Sequence, residues 1–240
     1  MPVRASRGAL ALGLATLLAH ATVGAAATTD PAGRLQTLLG RSADGRPIVG
    51  IEVGDFDASE RVLVVGCIHG NEPAGIAIAN RLAHLNPPPE LDLWIVPDLN
   101  PDGVAVHTRG NAHGVDLNRN FPWRWQRLSG LFYSGPRPLS EPESRIAAGL
   151  IRRARPQISI WFHQHMDLVD QSGGNPAVER RFAALAGLPL SRLTREPGSA
   201  VGWENHTLPA MTSFVVELPA GSLPATAVSR YANAVVAVGR

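Results

Sequence analysis

Residues 62–76 read VLVVGCIHGNEPAGI. The apolar, β-branched run Val62–Ile68 breaks off at His69, Gly70, Asn71, Glu72 and Pro73. A short apolar run bounded by glycine and proline predicts a strand buried on both faces. The stretch Ala74–Leu85, opened by Pro73, predicts a helix. A buried strand leading directly into a helix belongs to an α/β sheet covered on both faces. In such sheets ligands bind beyond the strand ends. His69 and Glu72 stand at such an end, and Gly70 and Pro73 would let the chain turn so that an imidazole and a carboxylate reach one ion. Alone the pair is weak: 8 His and 10 Glu in 240 residues give about 0.3 such pairs by chance. A third ligand is needed.

Working outward, Ile48–Val53, Leu93–Val96, Ile158–Phe162 and Met211–Leu218 predict further strands, and PDLNPDG a loop after the second of them. Ser140–Ala154 predicts a helix with Ser140 and Glu143 as a capping box. Val178–Ala186 and Ala225–Val238 predict two more helices. No internal repeat breaks the pattern, so residues 28–240 read as one α/β domain.

The first 27 residues read as a signal peptide. Arg4 and Arg7 supply a basic start, Gly8–Ala19 an apolar stretch, and Ala25-Ala26-Ala27 a small-residue cleavage site. The expectation is export, periplasmic or extracellular. An uncleaved anchor is the rival reading, disfavoured because His20 interrupts the run. All 22 basic residues are arginine, and without Arg4 and Arg7 the chain carries 20 basic and 20 acidic groups. That balance gives no reason to expect a nucleic-acid partner. Cys67 is the only cysteine, which excludes an internal disulfide framework; it reads as a small core hydrophobe.

His163 closes the apolar run ISIWF and is a candidate third ligand, with His165 as competitor. In GVDLNRNFP, Asn118 and Arg119 make a plausible carboxylate clamp, and Asp116 a carboxylate that could orient a ligating histidine. His113 and Asp116 repeat the three-residue spacing, but no strand precedes them, so the pair reads as a decoy. Glu217 in TSFVVELPAG places a charge near the end of an apolar run, where a general base beside a metal-activated water would serve. No HExxH sequence occurs, which excludes the thermolysin-type layout.

Together HGNE, NPDG, TRGNAHGVDLNRN, His163 and Glu217 resemble the zinc carboxypeptidase family, the carboxypeptidase A-like metallopeptidases, across roughly residues 40 to 238. GRSADGRP, LSEPES and EPGSAVGW are similar to its murein tripeptide amidase branch. The resemblance implies a mixed, about eight-stranded sheet with helices on both sides and one zinc ion. His69, Glu72 and His163 would hold the ion, and Asp116 would brace His69. Arg109 would stabilise the oxyanion, Asn118 and Arg119 would grip the substrate's free carboxylate, and Glu217 would be general base and then proton donor. Ala200 would lie near the base of the specificity pocket, making it roomy. The implied reaction is hydrolysis of a C-terminal amide bond, that between γ-D-glutamate and meso-diaminopimelate in peptidoglycan peptides. Glu196, Glu204 and Asp170 are candidates for the distal amine of that residue. Neither Tyr133 nor Tyr231 falls between Met166 and Val216, where digestive members carry a lidding tyrosine. The competing readings are a carboxypeptidase for ordinary peptides, an N-acyl amino acid deacylase, and a non-catalytic peptidoglycan-binding module.

Overall fold

The computed structural model describes residues 27–29 and 34–240; residues 1–26 of the expected signal segment lie outside them. Among the described residues nine strands form one mixed sheet with helices on both faces, the architecture that the resemblance implied. In chain order they are β1 (Ala27–Thr29), β2 (Leu35–Arg41), β3 (Pro47–Gly54), β4 (Glu60–Val65), β5 (Leu91–Val96), β6 (Ile158–Gln164), β7 (Leu168–Asp170), β8 (Leu190–Ser191) and β9 (Thr212–Leu218). The helices are α1 (Ala74–Leu82), α2 (Pro101–Val106), α3 (Pro142–Ala154), α4 (Pro176–Ala186), α5 (Ala200–Thr207) and α6 (Ala225–Val238). Across the sheet the order is β1-β2-β3-β5-β4-β6-β9-β7-β8.

The four central strands β5, β4, β6 and β9 run parallel. Their side chains alternate between two cores, as the two-residue period of a strand requires. Val62, Val64, Ile160, Phe162, Phe214 and Val216 face a layer built on Ile78, Phe182, Tyr231 and Val235. Leu63, Val65, Trp161 and Val215 face the opposite layer, with Ile151 and Trp203. Each fully buried aliphatic or aromatic side chain of this kind contributes about 1.5–3 kcal/mol, so the near-continuous Val/Ile runs hold the sheet between its helices.

From β4 the chain passes through α1 to β5 on one side, and later through α3 to β6 on the other. The direction of winding therefore reverses at β4, and its carboxyl end is the crevice where such sheets bind ligands. His69 and Glu72 follow β4, His163 lies near the end of β6, and Glu217 near the end of β9. Parallel strands bring all three ends to one edge. In register, His163 stands beside Glu217.

Several elements differ from expectation. NPDG is not loop but the start of α2, with Asn100 as N-cap accepting from the Gly103 N–H. The expected capping box is not made: Glu141 is the N-cap of α3 without a side-chain bond, and Ser140 Oγ donates to Glu141 at 2.7 Å. Glu143 instead accepts from the Ala43 N–H and from Asn111. Gly70 does not need a positive φ; it is small because a Cβ there would lie 1.9 Å from the Gly103 carbonyl carbon. The turn after β4 is thus locked by close packing on α2.

Candidate active site

The His69 ring is buried and held at both nitrogens. Nδ1 lies 3.0 Å from Glu72 Oε2, and Nε2 lies 3.0 Å from Asp116 Oδ1. His163 Nδ1 also lies 3.0 Å from Glu72 Oε2. The two imidazoles meet edge to face with centroids 4.7 Å apart. One donor atom from each of His69, Glu72 and His163 falls within 4.8 Å of the others. Two imidazole nitrogens and one carboxylate oxygen, converging with an open side, are the donor set of a catalytic zinc site. The carboxylate on the far nitrogen of His69 is the partner that fixes a ligating imidazole's tautomer. The residues fit the ion.

Charge at the cluster follows the same geometry. Burial works against ionisation of Glu72, but hydrogen bonds from His163 and His69 hold its carboxyl well below the usual range. Burial likewise opposes charge on Asp116, and the neighbouring His69 and Arg109 overcome it. Both carboxylates are therefore ionised, as ligand and brace must be. Burial opposes charge on His69 too, yet Asp116 and Glu72 around it raise its pKa.

The segment 107–140 between α2 and α3 carries the cavity-lining Arg109, Asn118 and Arg119 with little regular structure. Two buried asparagines hold it. Asn111 accepts from the His113 and Val115 N–H groups and donates to Glu141 and Glu143. Asn120 donates to the carbonyls of Ser134 and Arg137 and accepts from Ser144 Oγ. Asp116 caps the 3₁₀ turn Leu117–Arg119, accepting from the Asn118 N–H. One carboxylate thus braces His69, Asn118 and, at 2.8 Å, Arg109 Nε. Arg109 Nη1 donates to Glu72 Oε1 at 3.0 Å, while Nη2 makes no hydrogen bond among the described residues.

Asn118 and Arg119 stand side by side. Asn118 Oδ1 accepts from the Ala200 N–H, leaving its amide NH₂ for a ligand. Arg119 is buried, which lowers its pKa, and Nη2 already meets the Glu196 carboxylate at 3.4 Å. Phe132 lies under both guanidinium groups, 5.4 Å from Arg109 and 5.3 Å from Arg119. Glu217 is half-buried; burial raises its pKa, and Oε2 has no hydrogen-bond partner among the described residues. Arg109, Asn118, Arg119, Glu196 and Glu217, with His69, Glu72 and His163, line a cavity of about 430 Å³.

His165 is exposed and lines the cavity without joining the donor cluster, whereas His163 belongs to that cluster. His113 pairs with Glu141 at 2.7 Å rather than with Asp116. Ala200 is a correction: fully buried at the start of α5, it anchors Asn118 through its backbone, and Ser199, Val201 and Gly202 form the cavity wall. Glu204 is also excluded from the cavity lining. It is fully buried against Trp161 Nε1, and desolvation pushes its carboxyl up to about 7. Cys67 is buried and its thiol is pushed far up by desolvation, so it is inert. Missed by sequence reasoning were Phe132, Leu131, Val201 and Arg195, whose segments lack any strong periodic or motif signal.

The comparisons agree with this geometry. The zinc carboxypeptidase family profile matches residues 88–182. Murein peptide amidase A of Vibrio campbellii is 28% identical over 219 residues, covering 84% of this chain and 86% of that protein. Carboxypeptidase SOL1 of Arabidopsis thaliana is 30% identical over 52% of this chain but only 28% of its own length. For murein peptide amidase A of Escherichia coli the alignment spans 60% of that protein. Among solved structures, a murein-tripeptide amidase from Escherichia coli superposes with a TM-score of 0.70 at 27% identity, covering 85% of this chain and 91% of that one. Carboxypeptidase A from Helicoverpa armigera shares the fold, with a TM-score of 0.70 at 21% identity over 87% and 68%. The profile match over residues 88–182, these relatives and the His-Glu-His cluster at the switch point of its sheet all make the chain similar to the zinc carboxypeptidases.

Proposed function

We propose that the chain is a zinc-dependent amidase that releases a C-terminal residue from peptidoglycan peptides, cutting between γ-D-glutamate and meso-diaminopimelate. The observation that carries the reading is the single cavity in which His69, Glu72 and His163 meet Glu217, Arg109, Asn118 and Arg119. The murein amidase relatives support the choice of substrate. Export as the place of action remains part of the proposal, resting on the expected signal segment.

His69, Glu72 and His163 would hold a zinc ion, which when bound would supply Lewis acidity and a water acidified to a pKa of about 7. Asp116 keeps the His69 proton on Nε2, so that Nδ1 offers its lone pair. Glu217 takes a proton from the attacking water and returns it to the departing amine. Arg109 Nη2 donates to the developing oxyanion, a role whose loss costs on the order of 3 kcal/mol. The Asn118 amide and Arg119 fork fix the terminal carboxylate, placing the scissile bond beside Glu217. Incoming substrate displaces Glu196 from Arg119.

The test compares kcat/KM for L-Ala-γ-D-Glu-meso-diaminopimelate with that for α-linked peptides ending in Leu or Arg, using zinc-loaded 28–240 protein. Preference for the γ-linked tripeptide supports the reading. Preference for α-linked peptides transfers the same site to ordinary carboxypeptidase activity.

A further inference from the structure

One part of the cavity wall carries two charged side chains that the chemistry above leaves unused. At the sheet edge β7 and β8 pair in parallel, Val169 with Leu190 and Asp170 with Ser191. This sets the turn 171–173 against segment 192–196. Asp170 is buried; Oδ1 accepts from the Leu193 N–H at 2.8 Å and Oδ2 from Ser172 Oγ at 2.6 Å. A carboxylate has about four acceptor positions, so capacity remains. Arg195 Nη2 donates to the Gln171 carbonyl. Its guanidinium lies close over Gly173, where a Cβ would stand 3.1 Å from Nη2 and φ is 98°. Both charged groups are thus braced by neighbouring backbone.

Arg195 Nη1 stands 3.7 Å from Asp170 Oδ2, beyond hydrogen-bond reach. Nε and Nη1 of Arg195 make no hydrogen bond among the described residues. Guanidinium N–H groups not used in hydrogen bonds among the described residues therefore sit beside a carboxylate with free acceptor positions, and both side chains line the cavity. Such a pair complements a carbon bearing both a carboxylate and an ammonium group. Glu196 is a poorer partner for the ammonium, being half exposed and set against Arg119.

We propose that Asp170 and Arg195 read a zwitterionic end on the departing residue's side chain, Arg195 taking its carboxylate and Asp170 its ammonium. The inference rests on the proposed function, because meso-diaminopimelate has such an end. Lysine carries the ammonium alone there, and 2-aminopimelate the carboxylate alone. A purely structural ion pair between the two segments would treat all three alike.

Calorimetric titration of the three free amino acids into zinc-loaded 28–240 protein tests this without turnover. Wild type is expected to bind meso-diaminopimelate roughly ten- to a hundredfold more tightly than lysine or 2-aminopimelate. Arg195→Gln removes the advantage over lysine and leaves lysine binding unchanged. Asp170→Asn removes the advantage over 2-aminopimelate; should that buried change impair folding, Arg195→Gln alone decides. No wild-type preference, or equal weakening of all three ligands by Arg195→Gln, overturns the proposal. Preference without tripeptide cleavage keeps the pair and rejects the proposed bond. Cleavage without preference does the reverse.

Discussion

Replacing Asp116 by Asn separates charge from geometry at the metal site. The side chain is fully buried and its two oxygens do different work. Oδ1 meets His69 Nε2 at 3.0 Å and the Asn118 N–H at 2.9 Å, whereas Oδ2 accepts from Arg109 Nε at 2.8 Å. Asn can keep the two Oδ1 contacts. It loses the negative charge behind His69 and sets an NH₂ against Arg109 Nε, a donor facing a donor. Losing such an outer carboxylate lowers metal affinity by about ten- to a hundredfold. Because orientation survives, Asp116→Asn should fall near the tenfold end, about 1.4 kcal/mol. Asp116→Ala also loses the orientation and should fall near a hundredfold. It would leave buried donors without partners as well, destabilising the fold by about 3 kcal/mol or more. Competition for zinc against a chromophoric chelator measures the affinities, and thermal denaturation the folding cost. Unchanged zinc affinity in Asp116→Asn and Asp116→Ala would refute the claim that Asp116 braces His69.

Other changes have equally definite outcomes. Glu196→Gln removes a competitor for the substrate's carboxylate at Arg119, and a pair this exposed is worth at most about 1 kcal/mol. KM should fall by no more than about fivefold with kcat unchanged, and a rise in KM would contradict the clamp. His163→Ala should abolish stoichiometric zinc while His165→Ala keeps it, read by metal analysis of dialysed protein; the reverse would exchange their roles. At the other end of the sheet, burial beside Asp92 pushes the Glu52 carboxyl up to about 7. The folded state then binds more protons than the unfolded chain between about pH 4.5 and 7, so stability falls as pH rises through that window, by at most about 3 kcal/mol. Glu52→Gln should raise the denaturation midpoint at pH 8 far more than at pH 5, and an equal effect at both would refute the linkage.

Much of the site was legible because it lies where local signals are strong. Val62–Ile68 and Ile158–Phe162 read as strands from composition alone, and a histidine closing each run marks a shared edge once the strands are parallel. The N-cap and proline of α2 were present in Asn100 and Pro101, but NPDG is equally good turn chemistry and the helix has only six residues. β2 was missed because Leu35–Arg41 is only partly buried and lacks clean alternation. The segment 107–140 defeats periodicity because Asn111 and Asn120 hold it through side-chain bonds to distant partners. A one-residue offset separated Ala200 from the true wall residue Val201: the N-terminal turn of α5 sends one side chain into the core and the next into the cavity. Arg195 sits in an irregular segment whose place depends on the two-residue β7–β8 pairing, which no local pattern announces.

The most direct test of the account is release of meso-diaminopimelate from L-Ala-γ-D-Glu-meso-diaminopimelate by zinc-loaded wild type and Glu217→Gln, with the zinc content of each preparation measured alongside. The account predicts one zinc per chain in both proteins, release by wild type that stops on chelation, and a kcat lower by about 10²–10⁴-fold in Glu217→Gln. Equal release by the two zinc-loaded proteins would contradict the assignment of Glu217 as the proton-transferring group of this site.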